Sequence, residues 1–253
     1  MGNIKILDCT LRDGGYCNQW KFGSNNIKAI VNGLTESGID IIECGFLTNR
    51  VGYNPDVSKF TSISEIAKVI PLDRKGSMYV CMVNYGEFYL EDIPQYDGTS
   101  VDGVRVAFHK KDMKEAVNFC FALKQKGYSV FMQAMVSLSY TDEEFLNLIK
   151  LSNDLNPFAF YIVDSFGVMK RKDLIRLFYV VEHNLKEGIE IGYHSHNNMQ
   201  LAFSNSQLFL EQNTSRDIII DSTLMGIGRG AGNLSTEMIV RYLNFKYSVN
   251  KIK

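Results

Sequence analysis

Two histidines stand two residues apart in Ile191-Gly192-Tyr193-His194-Ser195-His196-Asn197-Asn198, and they are half of the four histidines in the chain. On a strand, side chains at i and i+2 leave the same face. At a strand's end both imidazoles would lean into one small volume, as a shared divalent cation requires. Such a cation also needs a carboxylate. Acidic residues close several other apolar runs: Asp8 and Asp13 near the first, Glu43 in the second, then Asp164 and Asp221. A lone histidine or inward glutamate is most often a hydrogen-bonded structural group. Two imidazoles on one face are a stronger signal, because they repel if both are charged.

The elements that must position these residues alternate along the whole chain. Short apolar or β-branched runs at residues 4–9, 40–44, 77–83, 103–108, 129–136, 159–164, 190–194 and 217–222 read as strands. Amphipathic stretches at 25–37, 111–126, 141–153, 171–184, 201–212 and 235–247 read as helices. Cap signals support them: Ser24-Asn25-Asn26 before one, Thr141-Asp142-Glu143-Glu144 as a capping box before another, Gly38 and Gly127 after two. Eight βα units over residues 1–253 predict a single-domain α/β TIM barrel. A doubly wound sheet competes, but Leu11-Arg12-Asp13-Gly14-Gly15 after the first strand is not its glycine fingerprint. Residues 48–59, polar with Gly, Pro and Asn, read as a long loop at the active end with a short helix behind it.

In such a barrel the chemistry lies at the C-terminal ends of the strands. Period-2 phasing turns Arg105, Ala107 and His109 towards the lumen, and likewise Glu43, His194 and His196; Ile42, Cys44, Phe46, Ile191 and Tyr193 point outward. Charges inside a barrel are costly unless paired or bound to metal, so several at one end predict a site.

The remaining composition excludes more than it identifies. A net charge of −1 gives no footprint for nucleic acid or an anionic membrane. Five scattered cysteines without a CxxC pair read as reduced thiols. With no apolar leader or membrane-length run, the expectation is a cytoplasmic protein. A homodimer is the default for a barrel of this kind.

Three motifs in order, Thr10-Leu11-Arg12-Asp13-Gly14-Gly15, His194-Ser195-His196-Asn197 and Gly226-Ile227-Gly228-Arg229-Gly230-Ala231-Gly232-Asn233, resemble the DRE-TIM metallolyases. That superfamily includes 4-hydroxy-2-oxovalerate aldolases, 3-hydroxy-3-methylglutaryl-CoA lyase, and isopropylmalate and homocitrate synthases. Val104-Arg105-Val106-Ala107-Phe108-His109 and Val163-Asp164-Ser165 are most similar to the aldolase branch. The resemblance implies a divalent cation, Mn²⁺ or Mg²⁺, on Asp13, His194 and His196, with Asn233 as an additional or outer ligand. It implies chelation of a 2-oxo acid, Arg12 donating to the enolate oxygen, Ser165 holding the carboxylate, and Glu43 and Arg105 orienting the bound substrate.

The chain departs from the aldolase pattern at Tyr16, where that branch commonly carries a histidine that takes the 4-hydroxyl proton. Tyrosine, with an ordinary pKa near 10, is a weak base at neutral pH. Tyr16 as a relay and His109 as a replacement are the two candidates. The expectation is a single barrel without the C-terminal communication domain that docks a dehydrogenase in bifunctional aldolases, and hence no channelling partner. The loop 226–232 also lacks the cysteine of the CoA-ester lyases. The expected activity is thus a metal-dependent carbon–carbon lyase, cleaving or forming a 4-hydroxy-2-oxo acid from a pyruvate enolate and an aldehyde. A Claisen-type synthase joining an acyl-CoA to a 2-oxo acid, and a catalytically degenerate barrel, are the alternatives. Loop 46–57 and segments 83–96 and 137–140 would set the choice of aldehyde.

Overall fold

The computed structural model describes residues 2–247. The chain runs β1 (Ile4–Asp8), α1 (Ser24–Glu36), β2 (Ile41–Leu47), β3 (Lys59–Phe60), α2 (Ile63–Ala67), β4 (Met78–Asn84), β5 (Gly103–Phe108), α3 (Met113–Gln125) and β6 (Ser129–Ala134). It continues through α4 (Asp142–Leu155), β7 (Ala159–Asp164), α5 (Arg171–Asn184), β8 (Glu190–Ser195), α6 (Ala202–Leu210), β9 (Ile218–Ser222) and α7 (Thr236–Tyr247). Every strand pairing is parallel, and β1 pairs with both β2 and β9. Eight strands therefore close into a barrel with no free edge, while β3 adds only to the outside of β2. The predicted TIM barrel is the observed fold.

Why these segments form strands is visible in their burial. β2, β5, β7 and β8 are buried along their entire length, one face against helices and the other in the lumen. The lumen floor is a small apolar cluster that includes Leu7, Ile41, Val80, Phe131, Tyr161 and Ile219. The capping box at α4 is present: Thr141 Oγ1 accepts from the Glu144 N–H at 3.2 Å, and the Glu144 carboxylate accepts from the Thr141 N–H at 2.8 Å.

Three expectations need correction. No α-helix follows β4; residues 85–102 form a loop with a short 3-10 turn, Leu90–Asp92, so the described residues form seven α-helices rather than eight. At α1 the Ser24-Asn25-Asn26 side chains do not cap the helix: Gly23 is the N-cap residue, and the distant Asp56 Oδ1 takes the Ser24 N–H at 2.8 Å. Phe46 points into the lumen, not outward. Between Glu43 and Phe46 strand β2 carries one residue more than β4, and Gly45 makes this bulge at φ +142°, where a Cβ would meet the Ser58 carbonyl oxygen at 2.2 Å. The extra residue reverses the phase of every side chain after it.

β1 is tied to the last helix by a buried carboxyl. Asp8 accepts from the Thr10 N–H at 2.9 Å and from the Thr236 hydroxyl at 2.7 Å. Burial nonetheless outweighs these bonds and pushes its pKa up to about 6. Because the folded pKa lies above the unfolded one, Asp8 contributes stability that is fully present below pH 4 and is lost as pH rises through about 6. Asp8→Asn should therefore remove roughly 2–3 kcal/mol of that pH dependence, read as a converging difference between urea-denaturation curves of variant and wild type from pH 4 to 7.

Candidate metal centre

β8 ends with His194 inside the lumen and His196 just beyond the strand, as the period-2 reading requires. An isolated bridge between His196 and Asn233 fixes the second histidine against the glycine-rich loop after β9. Asp13 follows β1 in a tight turn, its N–H donating to the Cys9 carbonyl at 2.8 Å. Thus three distant segments meet at one rim.

The meeting is close. Asp13 Oδ2 lies 3.2 Å from His194 Nε2 and 3.7 Å from His196 Nε2. The two rings stand nearly perpendicular, with centroids 5.1 Å apart. One ligand atom from each of the three residues lies within 4.8 Å of the others. All three are buried, and the His196 Nδ1 and Asn233 Oδ1 are buried atoms with no hydrogen-bond partner. Two imidazoles and a carboxylate form a donor set suited to Mn²⁺ or another divalent ion. Asn233 adds an oxygen beside them. The loop reaches this position because Gly228 has no side chain: a Cβ there would lie 2.1 Å from Asn233 Nδ2 and 3.4 Å from Asp13 Oδ1.

Behind the ligands runs a closed chain of buried charges. Arg12 bonds Asp13 Oδ2 through Nη1 at 2.7 Å and Glu43 through Nε at 2.8 Å. Arg105 Nη1 lies 3.0 Å from the same Glu43 oxygen, and its Nη2 bonds Asp221. Asp221 Oδ2 lies 2.9 Å from His194 Nδ1, which closes the circuit back to Asp13. Three carboxylates against two guanidiniums leave one negative charge when both imidazoles are neutral, a balance that favours a bound cation.

The titration of these groups follows the same logic. Burial raises the Asp13 carboxyl, but Arg12 and the two histidines outweigh it and hold it well below the ordinary range. Burial likewise works against Asp221, yet Arg105 and His194 keep its pKa low. Burial drives His196 down to about 4, so it is a neutral imidazole at pH 7 with a lone pair to offer. His194 is the opposite case: burial lowers it, and the Asp13 and Asp221 carboxylates overcome that and raise it. A second possible ligand group, Cys9 with His194 and Asp221, fits a cation less well. Burial pushes the Cys9 thiol up, its Sγ donates to the Ser222 carbonyl, and Asp221 is already paired with Arg105.

The centre opens into a cleft lined by Arg12, Asp13, Tyr16, His194, His196 and Ser165, and on its farther side by Asn84, Ala107 and Gln133. Ser165 accepts a hydrogen bond from the Val136 N–H at 2.8 Å. Val136 achieves this in the left-handed conformation, φ 55° and ψ 55°, a costly one for a β-branched residue. The serine hydroxyl proton is left free to donate.

The HMGL-like family model matches residues 3–252. The chain belongs to the HMGL-like family. Among its relatives, a 4-hydroxy-2-oxovalerate aldolase of Geobacillus genomosp. 3 is 28% identical over 246 residues, covering 95% of this chain and 70% of that one. An oxaloacetate decarboxylase of Mycobacterium tuberculosis is 27% identical over 244 residues, covering 94% and 69%. Among solved structures, the N-terminal domain of a Bacteroides vulgatus protein described as a candidate aldolase superposes with a TM-score of 0.78 at 27% identity, covering 98% of this chain and 82% of that one. The Bacillus subtilis HMG-CoA lyase, with a TM-score of 0.75 at 16% identity, shares the fold. The resemblance read from three motifs is thereby borne out.

Within this HMGL-like barrel the expected site residues separate into three groups. Arg12, Asp13, Tyr16, Ser165, His194 and His196 line the cleft together, and Asn233 adjoins them. Glu43 and Arg105, expected to orient the bound substrate, do not line it: they lie in the layer beneath, and Arg105 is fully enclosed. His109 is absent from the cleft. It lies past the end of β5, exposed, where the chain turns into Lys110–Asp112 instead of continuing the strand alternation.

Sequence reasoning assigned no role to Asp221, Asn84, Gln133 or Arg229. The clearest missed signal was Asp221, a charge directly following Ile218-Ile219-Ile220 in a strand. A carboxylate behind a metal-ligating histidine fixes its tautomer and raises its basicity. Asp221→Asn should weaken Mn²⁺ binding about 10- to 100-fold without loss of the fold, checked by equilibrium dialysis beside circular dichroism. The described residues contain no helix long and apolar enough to cross a membrane, and all five cysteines are free.

Proposed function

We propose that the protein is a divalent-metal-dependent aldolase that cleaves or forms a 4-hydroxy-2-oxo acid, with pyruvate or a close relative as the enolate half. The observation that carries this reading is the convergence of Asp13, His194 and His196 beside an arginine with a donor to spare. Mn²⁺ or Mg²⁺ held by those three residues, with Asn233 as a further oxygen, would attract the 2-oxo and carboxylate oxygens and stabilise negative charge growing on the former.

The protein's own groups do the rest. Arg12 spends Nε on Glu43 and Nη1 on Asp13, so its plane is fixed and Nη2 carries no protein hydrogen bond among the described residues. It can donate to an enolate oxygen without reorganising. Ser165, held by Val136, donates to the substrate carboxylate. As the C3–C4 bond breaks, its electron pair passes to C3 and the 2-oxo oxygen, while the 4-hydroxyl proton leaves for a base. With His109 outside the cleft, Tyr16 at the mouth is the hydroxyl positioned to relay that proton. Phe46 and Met82 keep part of the cleft wall apolar, which limits water around the carbanion.

A second reading has support from the decarboxylase relative. Loss of CO₂ from a 2-oxo acid with a second carboxylate on C3 leaves the electron pair of the broken bond in the same enolate and needs no base for a hydroxyl, consistent with tyrosine at position 16. Supplying the manganese-loaded protein with 4-hydroxy-2-oxo acids and, separately, with oxaloacetate tests both. Equimolar pyruvate and aldehyde from the first set establishes the aldolase. Pyruvate from oxaloacetate alone would favour the decarboxylase, and thiol release from acetyl-CoA with a 2-oxo acid would favour a synthase.

A further inference from the structure

The metal-ligand candidates lie in the turn after β1, at the end of β8 and in the loop after β9, and the wall across the lumen from them is built by β4, β5 and β6. There Asn84, Ala107 and Gln133 form one continuous row, because Asn84 pairs with Ala107 and Ala107 with Gln133 in the parallel ladder. Residues paired across a ladder point to the same face, so all three side chains enter the cleft that they line. Adjacent strands are about 4.8 Å apart, which places the two carboxamides about 10 Å from each other at their Cα atoms, with a single methyl between them.

Gln133 is only 3% exposed, yet its Nε2 is a buried donor without a partner. Asn84 is held only by a long 3.3 Å bond from Nδ2 to Glu87. A buried unpartnered amide costs stability that an apolar residue of the same shape would not, so its presence in a cleft wall marks a ligand contact. Carboxamides offer a donor and an acceptor without net charge, the complement of a hydroxyl rather than of a carboxylate. Ser165, directly after β7, stands between this row and the histidines at the end of β8, so a 2-oxo acid anchored at Ser165 extends towards it.

We propose that the Asn84–Ala107–Gln133 row is a hydroxyl-recognition subsite and that the aldehyde half of the substrate carries a hydroxyl on the carbon next to its carbonyl, making it a hydroxyaldehyde rather than an alkyl aldehyde. This rests on the 2-oxo acid reading of the metal centre and adds the substrate class to it. The site then selects against a plain alkyl chain, which leaves the Gln133 amide unpaired.

Two non-cleavable probes test this by binding alone. N-propyl oxamate and N-(2-hydroxyethyl) oxamate share the keto-acid end and differ only in a methyl or hydroxyl at the position corresponding to C5 and its substituent. By calorimetry on manganese-loaded protein, the hydroxylated probe should bind at least about tenfold more tightly, the scale of one net hydrogen bond. In Gln133→Met the two affinities should fall within about twofold, through weaker binding of the hydroxylated probe alone, with thermal stability kept or raised. Asn84→Ala at the other end of the row should narrow the gap in the same direction. Equal affinities in the wild type, or a gap that survives both substitutions, would overturn the subsite while leaving the metal-centre reading intact. Failure of both probes to bind would strike the 2-oxo acid reading and the subsite with it.

Discussion

Asp13→Asn should abolish the metal centre while leaving the barrel folded. Oδ2 of Asp13 faces both Nε2 atoms and Arg12 Nη1, so this one carboxylate oxygen is shared by the candidate ligand histidines and the arginine proposed to donate to the enolate. The amide cannot carry the charge that balances a divalent ion, and an amide nitrogen in that position would oppose the Arg12 donor. Lewis-acid stabilisation of a developing enolate is worth several kcal/mol, so turnover should fall by about 10³-fold or more. Metal content by atomic absorption and activity should fall together, with circular dichroism unchanged. Activity retained without metal would count against the assigned ligands.

The second large effect is on stability. Arg105 is fully enclosed, joins Glu43 to Asp221, and has its guanidinium carbon 5.0 Å from the centre of the Tyr161 ring. Arg105→Met would leave two carboxylates in the lumen without the cation that separates them. Removing one member of a buried charge network costs about 3–5 kcal/mol, a large part of the stability of an ordinary domain. Neutralising the stranded partners as well, in Glu43→Gln/Arg105→Met/Asp221→Asn, should recover part of that loss, because much of the cost is uncompensated charge rather than lost packing. Urea denaturation of the single and triple variants decides this. A triple variant less stable than Arg105→Met would show that packing against Tyr161 dominates.

Much of this was legible in the amino-acid order. The His194-Ser195-His196 spacing, the Arg12-Asp13 pair after the first strand, and the Ser165 position all carried their placement, because strand alternation is a local geometric rule and the barrel puts strand ends together. That rule failed where the backbone broke it. Phe46 was misassigned because the bulge at Gly45 adds a residue that no composition pattern announces. His109 was misassigned because the alternation was extended past the last residue of β5 into a turn. Glu43 and Arg105 were correctly turned inward, but depth along the barrel depends on the stagger between strands, which a single sequence does not express. Gln133 and Asn84 are ordinary residue types without a diagnostic spacing; only their common ladder row and the missing partner of Gln133 single them out.

In the proposed reaction Asp13, His194, His196 and Arg12 together stabilise a pyruvate enolate, whatever aldehyde follows. Exchange of the pyruvate methyl protons for deuterium, followed by proton NMR in deuterated buffer, reads that step without a second substrate. The account predicts exchange that requires added Mn²⁺ or Mg²⁺, stops with chelator, and is lost in His196→Ala. Exchange at the same rate in the chelated protein or in His196→Ala, or no exchange in fully metal-loaded wild type, would contradict it.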